Sequence, residues 1–368
     1  MRVQIVDPSA FTPPYDHALS GALARAGADV ELVTSLFLYG PVPREDGYRV
    51  TESFYRRTAE RGLDAPGRRA FKLAENVVDL VRFRRAEHPE VVHWQWLTAP
   101  HLDAPLLPSG HKRVFTLHYP LPNSGAGLAA QRLTLSRFDA VVAHTEQGAR
   151  RLREDVRLDP ERVQVIPHGA FDYLTRQDEE APLPAELDEA QGPVILFFGL
   201  LRPYKGIDVL LEAFREVEGA ELWIAGMPRM PIEPLRALAA RAPGTVRFIP
   251  RFVSDPEIPA FFRRADVVAL PYREIEQSGV LYTALAFGKP IVASSVGGFP
   301  EVAERHGAAR LVPPGDAGAL ARTLEELVTQ PSQRESLAAA AEAAAAGPHS
   351  WDAIGLQTVN LYERLLAG

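Results

Sequence analysis

Short apolar runs alternate along this chain with stretches of helical periodicity. In the first half, Val3 to Val6 is followed by the helical Ala18 to Ala26, then by Val30 to Thr34, Val91 to Trp94, Val114 to Leu117, Ala140 to Ala143 and Val163 to Ile166. Strands alternating with helices predict a parallel α/β architecture. At Pro193 the rhythm restarts with Val194 to Phe198, Leu222 to Ala225, Val246 to Ile249, Val267 to Leu270 and Ile291 to Ala293, separated by amphipathic stretches such as Asp208 to Val217. Two doubly wound units in succession are the expectation.

Between the halves, six acidic residues, one Arg and three Pro in Thr175 to Pro193 interrupt every apolar period. That composition reads as an interdomain linker. After Thr329 come an Ala-rich helical tract, Ser336 to Ala346, a break at Gly347 and Pro348, and a final amphipathic helix from about Asp352 to Leu366 with Ser350 near its N-cap. The Ala-rich tract is a helix with a narrow packing face and carries no chemistry. The expected domains are residues 1–178, 193–347 and a terminal helix within 350–368.

Composition narrows the function classes. A chain of 368 residues is long enough for two cores, and 46% hydrophobic with 24% charged residues places it among soluble folded proteins. The net charge of -7 points away from nucleic acid, so any basic surface must be local. Cysteine is absent, which removes disulfides, thiolate metal sites and cysteine nucleophiles and is compatible with a reducing cytoplasm. The apolar run at the N-terminus is too short for the core of an export signal, and no apolar stretch reaches the length of a membrane span. A cytoplasmic location is expected.

Three loops of the second half follow predicted strands and carry candidate chemistry. In Phe197 to Asp208, a strand ends at Gly199 and leads through Arg202, Pro203, Tyr204, Lys205 and Gly206 into a helix. A guanidinium and an ammonium three residues apart, beside a helix start, suit a diphosphate. In Leu270 to Val280, Ser278, Gly279 and Val280 open an apolar helix whose free N–H groups form a second anion cradle, while Glu274 and Glu276 are of the right kind to bind sugar hydroxyls. In Ser294 to Glu301, paired glycines precede Glu301 at a new helix start. Each loop alone matches an ordinary polar turn; the three together in one domain do not.

The ordered set FGLLRPYKGID, ADVVALPY, QSGVLYTALAFGKPIVASSVGGFPE and LVPPGDAGALA, from about Val194 to Val328, closely resembles the donor-binding half of glycosyltransferase family 4. VFTLHYP, AVVAHTEQGARRL and VIPHGAFD in the first half agree more loosely. The resemblance implies a GT-B fold: two Rossmann-like doubly wound domains, a cleft between them, and a C-terminal helix that returns to the N-terminal domain. It implies transfer of a sugar from a nucleotide-diphosphate sugar with retention of anomeric configuration, and no metal cofactor. By this likeness Arg202 and Lys205 hold the donor diphosphate, Ser278, Gly279 and Val280 offer backbone amides to the distal phosphate, and His118 lies near the reacting sugar. Gly199, Glu276, Glu301, Arg251 and Phe252 complete the expected donor contacts. Three positions depart from the family pattern. Thr283 and Ile275 stand where a pair of Glu is usual, with Glu276 one residue from the first; Phe11 to His17 replaces a Gly-rich turn; and Tyr119 stands where an Asp often follows the histidine.

Acceptor contacts are expected from Tyr15, Asp16 and His17 in that stiffer loop, and from Trp94 in His93-Trp94-Gln95-Trp96, where at least one Trp is expected to pack in the core. The chain has no Asp-x-Asp pair and no cluster with metal-ligand spacing, so no metal site is expected. Thr51 to Arg85 carries a net +4 interleaved with Phe54, Tyr55, Phe71 and Phe83. Two readings stay open for Arg56 to Arg85: peripheral contact with an anionic membrane at its inner face, or a solvated helical face, the commoner outcome for charge runs. The leading expectation is a retaining hexosyltransferase acting on a glycan, lipid-linked or small-molecule acceptor. Its rivals are a nucleotide-sugar epimerase of the same fold and a non-catalytic sugar-nucleotide-binding subunit.

Overall fold

Strands β1 (Arg2–Asp7), β2 (Asp29–Ser35), β3 (Arg49–Phe54), β4 (Val91–Trp94), β5 (Lys112–Thr116), β6 (Ala140–Ala143) and β7 (Val163–Val165) pair in the order β3-β2-β1-β4-β5-β6-β7. A second sheet contains β8 (Val194–Phe198), β9 (Glu221–Ala225), β10 (Val246–Ile249), β11 (Val267–Leu270), β12 (Ile291–Ser294) and β13 (Ala309–Val312) in the order β10-β9-β8-β11-β12-β13. Both sheets are wholly parallel among the described residues. The computed structural model describes residues 1–43, 46–61, 65–187 and 190–368. β4, β6, β11 and β12 are buried along their whole length, as strands covered by helices on both faces must be.

The chain divides into two units, Met1–Gly169 with Trp351–Gly368, and Ala170–Ser350. The division falls earlier than the sequence suggests. Residues 170–178, assigned above to the first domain, pack in the second unit, where the Phe171 amide donates to the Tyr282 carbonyl at 3.4 Å. Thr175 to Pro193 is no free linker over its described residues: the Ala181 amide bonds to Pro256 O at 2.8 Å, Glu180 pairs with Arg263, and Leu187 is buried in the second core. Its described acids, Asp178, Glu179, Glu180 and Glu186, are exposed on that unit, while Leu187 anchors it. Asp188 and Glu189 lie outside the described residues.

The last helix, Trp351–Ala367, belongs to the first unit and packs on helix Pro13–Arg25. Tyr362 reaches the sheet, its hydroxyl 2.6 Å from His93 Nδ1, and Arg25 donates to Asp352 at 2.7 Å. The two helices touch at Gly355, where a Cβ would lie 2.7 Å from the Ala22 carbonyl oxygen. The Ala-rich helix Pro331–Ala346 buries only Leu337, Ala341 and Ala344, the narrow face its composition predicts. Gly355→Val is expected to lower stability by about 1–3 kcal/mol through overpacking. An unchanged urea midpoint would mean that the contact yields freely.

Candidate functional site

In a doubly wound sheet, ligands collect at the carboxyl ends of strands where the strand order reverses. In the second unit that point lies between β8 and β11, which are paired neighbours. The loops after these strands are two of the three that the sequence singles out. They are tied together: the Arg273 amide donates to Tyr204 O at 2.7 Å, and the Arg273 guanidinium donates to Pro203 O at 2.9 Å and grips Asp208 at 2.9 and 2.6 Å. Gly206 has φ +66°, and a Cβ there would sit 2.0 Å from the Pro271 carbonyl oxygen. Only glycine allows the loops to approach this closely. The third loop joins through Gly298, whose amide donates to Glu276 O at 3.0 Å.

This arrangement buries Lys205, of which 7% is exposed, on the short 3-10 turn Pro203–Lys205. Among the described residues its ammonium has no carboxylate partner. The Tyr272 ring lies 5.1 Å from it and the Phe197 ring 6.0 Å. A Cβ on Gly199 would come within 3.0 Å of Nζ, so the bare backbone there leaves room for the amine. Burial, and then the like charge of Arg202, bring Lys205 down to about 8. Arg202 itself is exposed beside the same turn.

Helix Gly279–Ala286 starts in this neighbourhood with Ser278 at its N-cap, and the Ser278 side chain does not cap it. The Ser278 hydroxyl lies instead 3.3 Å from the Tyr272 hydroxyl. The amides of Gly279 and Val280 are thus left at the positive end of the helix. Phe171 lies against Gly279 on its other side. Thr283 turns its hydroxyl back to Gly279 O at 3.0 Å, so it offers no substitute for a carboxylate. Glu276 and Glu301 are half-buried in the second and third loops, Glu301 close enough to push the Tyr282 hydroxyl up in addition to burial. Arg251 is engaged by Glu257, which takes its guanidinium at 2.6 and 3.2 Å, and Phe252 beside it is exposed. The sequence reading gave no role to Gln277. Its Nε2 is buried without a partner between Glu276 and Ser278, a signal that only coordinates provide.

In the first unit the corresponding reversal lies between β1 and β4. Asp7 ends β1 and organises the following loop by accepting from the amides of Ser9 (3.1 Å), Phe11 (2.6 Å) and Thr12 (3.1 Å). Trp96 beyond β4 donates its indole N–H to Thr12 Oγ1 at 2.8 Å. His118, just past β5, stacks on Trp96 with ring centroids 5.4 Å apart, and its Nε2 lies 2.9 Å from Gln95 Oε1. Burial, and then His144, His168 and His93, hold His118 well below the usual histidine range, so it is neutral at pH 7.

The four residues expected to contact an acceptor separate. Tyr15 is buried, its ring edge-on to His118, His168 and Trp351 at 4.7, 5.0 and 5.1 Å. Trp94 is fully buried against Phe83. Both are packing residues, because their rings fill the layer between sheet and helices; Trp96 is the partly exposed indole. Asp16 and His17 line a cavity of about 540 Å³ with Pro13, Thr34, Leu36 and Glu52. Burial and then the charge of Asp7 push Asp16 well up, and burial alone brings His17 down to about 4. Among the described residues no group of His, Asp or Glu is arranged to hold a metal ion.

A family model described as "Glycosyl transferases group 1" matches residues 192–330, and one described as "Glycosyltransferase Family 4" matches residues 15–170. A D-inositol 3-phosphate glycosyltransferase of Jonesia denitrificans is 27% identical, covering 94% of this chain and 89% of its own length. One from Segniliparus rotundus is 29% identical over 74% of this chain, and an alpha-D-kanosaminyltransferase of Streptomyces kanamyceticus is 28% identical over 64% of it. The chain spans only 64% and 63% of the lengths of those two. Among solved structures, sucrose-phosphate synthase of Thermosynechococcus elongatus superposes with a TM-score of 0.76 at 20% identity, covering 100% of this chain and 99% of that one. HepE of Anabaena, in complex with UDP-glucose, gives 0.71 at 20% identity, covering 99% and 100%. At these identities the structural likeness is one of fold.

The buried histidines make one measurable statement. Burial brings His144 down from 6.5 to about 4. Below 6.5 the unfolded chain takes up a proton that the buried ring refuses. Its contribution to stability is therefore full above 6.5 and is lost as pH falls toward about 4. The stability difference between the protein and its His144→Gln variant is expected to shrink as pH is lowered from about 7.5 to about 5. A difference constant over that window would mean that the ring titrates alike in both states.

Proposed function

The chain belongs to glycosyltransferase family 4, the group 1 transferases of GT-B fold, and from that premise we propose that it moves a sugar from a nucleoside-diphosphate sugar to a hydroxyl-bearing acceptor with retention of anomeric configuration. The observation that carries the donor assignment is the buried ammonium of Lys205, without a carboxylate partner among the described residues, next to Arg202 and the open end of helix Gly279–Ala286. Together they offer positive charge and N–H donors to one doubly charged group. Charge grows on the diphosphate as the sugar leaves it, so groups fixed in advance around it stabilise the transition state more than the ground state.

Gly199 keeps the approach to the amine open, and Gln277 Nε2 is a donor awaiting an acceptor in the same loop cluster. Donor hydroxyls fall to the carboxylates of Glu276 and Glu301 in this reading, since Thr283 is committed to its own helix. Phe252 presents an apolar face suited to a nucleobase. In the first unit, neutral His118 is able both to donate and to accept, which suits a sugar hydroxyl. The cavity lined by Asp16 and His17 supplies acceptor contacts. These side chains do the work assigned here without a metal ion.

Two outcomes test the donor site. Lys205→Ala is expected to lower turnover about a hundredfold or more, with the circular dichroism spectrum unchanged; near-normal turnover in the folded variant would remove the assignment. Because the free amine sits at about 8 and a bound diphosphate favours its charged form, nucleoside diphosphate should bind most tightly below pH 8 and more weakly as pH rises through it. Lys205→Ala should flatten that profile. A donor panel supplied with and without hydroxyl acceptors, inositol phosphates among them, should give transfer only with acceptor, whereas epimerised donor without acceptor would contradict the reading.

A further inference from the structure

Helix Arg68–Arg85 is built inside out. Its polar residues Glu75, Asn76 and Asp79 are buried along with Leu80 and Phe83. Glu75 accepts from the amides of Arg57 (2.9 Å) and Thr58 (2.8 Å), Asp79 from the amide of Tyr55 (2.8 Å), and Asn76 donates to Asp103 at 2.6 Å. The acids are thus spent on tying down the chain around Tyr55 to Thr58. The opposite face shows Ala70, Leu73, Ala74, Val77 and Val78 to solvent, with Leu73 42%, Val77 39% and Val78 57% exposed. At about 100° per residue these side chains form one stripe. Arg69 lies at its first turn, and Arg82, Arg84 and Arg85 at its last.

An ordinary surface helix exposes charge and buries valine, so this arrangement calls for an apolar neighbour. The exposed positions of the helix include four arginines and no acid. That charge pattern chooses among occupants. A second copy of the same face would set arginine against arginine, and a nucleic acid has no use for an apolar stripe. An anionic bilayer meets both demands, with headgroups for the guanidinium groups and acyl chains for leucine and valine. We propose that helix Arg68–Arg85 is a membrane-docking surface that seats the protein on an anionic lipid bilayer. Within the same unit the helix also touches the acceptor-side loop: Lys72 Nζ lies 5.6 Å from the ring centre of Phe11, itself half exposed. Gly62, Leu63 and Asp64, in the preceding stretch of the basic segment, lie outside the described residues.

The docking surface does not depend on the transferase reading, and the test keeps them apart. The full chain is floated with phosphatidylcholine vesicles containing about a third phosphatidylglycerol, and with pure phosphatidylcholine vesicles. Binding to the anionic vesicles alone, weakening as salt is raised, is expected. Val77→Glu combined with Val78→Glu, both exposed helix positions where folding is not at stake, should reduce that binding at least tenfold, and Arg84→Ala with Arg85→Ala should weaken it at low salt and flatten its dependence on salt. Lys205→Ala should bind vesicles as the unaltered chain does. No partition to anionic vesicles, equal binding by the Val77/Val78 variant, or a dimer abolished by that variant would each overturn the proposal.

Discussion

A buried ammonium without a counter-ion is costly, and the second unit is organised around one. Taking a lysine out of water disfavours its charge, and an adjacent guanidinium disfavours it further. Lys205 nevertheless lies under a loop that is clamped in place by the Arg273 guanidinium on Asp208 and Pro203, and by the glycine-only approach of Gly206 to Pro271. So much scaffolding around an unsatisfied positive charge makes sense when the missing partner is a ligand. The positive end of helix Gly279–Ala286 and the unpartnered Gln277 amide add two more groups in want of an acceptor.

The topology explains why these groups are together. In each unit the first strand of the winding has as neighbours one strand next in sequence and one from across the reversal, so loops far apart in the chain emerge side by side. In the second unit this brings together the loops after β8 and β11; in the first it brings Asp7 and its loop to Trp96 and His118. The two units differ in what fills that place. One holds cations and free amides, whereas the other holds neutral rings and carboxyl groups pushed toward their neutral form by burial, an environment suited to hydroxyls rather than phosphates.

Much of this was legible because strand cores are short, apolar and punctuated. The exceptions have physical causes. β3 and β13 escaped the sequence reading because both are edge strands, half exposed and mixed in polarity, with no continuous apolar run to announce them. Thr175 to Pro193 looked like a linker because its acids outnumber its anchors, yet Leu187 and the Arg263 pair suffice to hold it on the second unit. The strand–turn–helix setting of Arg202 and Lys205 was readable since strand, glycine and cations follow one another directly. Tyr15 and Trp94 were misplaced because an aromatic at a strand or helix end has the same signature whether its ring faces a sugar or the core. The inverted helix was the hardest case: its charge excess showed in the sequence, but which face the valines occupy is decided by where Glu75 and Asp79 find their amide donors.

The central claim is that a diphosphate completes the charge around Lys205. A crystal structure of the full chain with a nucleoside-diphosphate sugar tests it most directly. The account predicts the diphosphate between Arg202, the Lys205 ammonium and the Gly279 and Val280 amides, with phosphate oxygens within hydrogen-bonding distance of all three. A diphosphate bound away from Lys205, with the amine still unpaired, would contradict it.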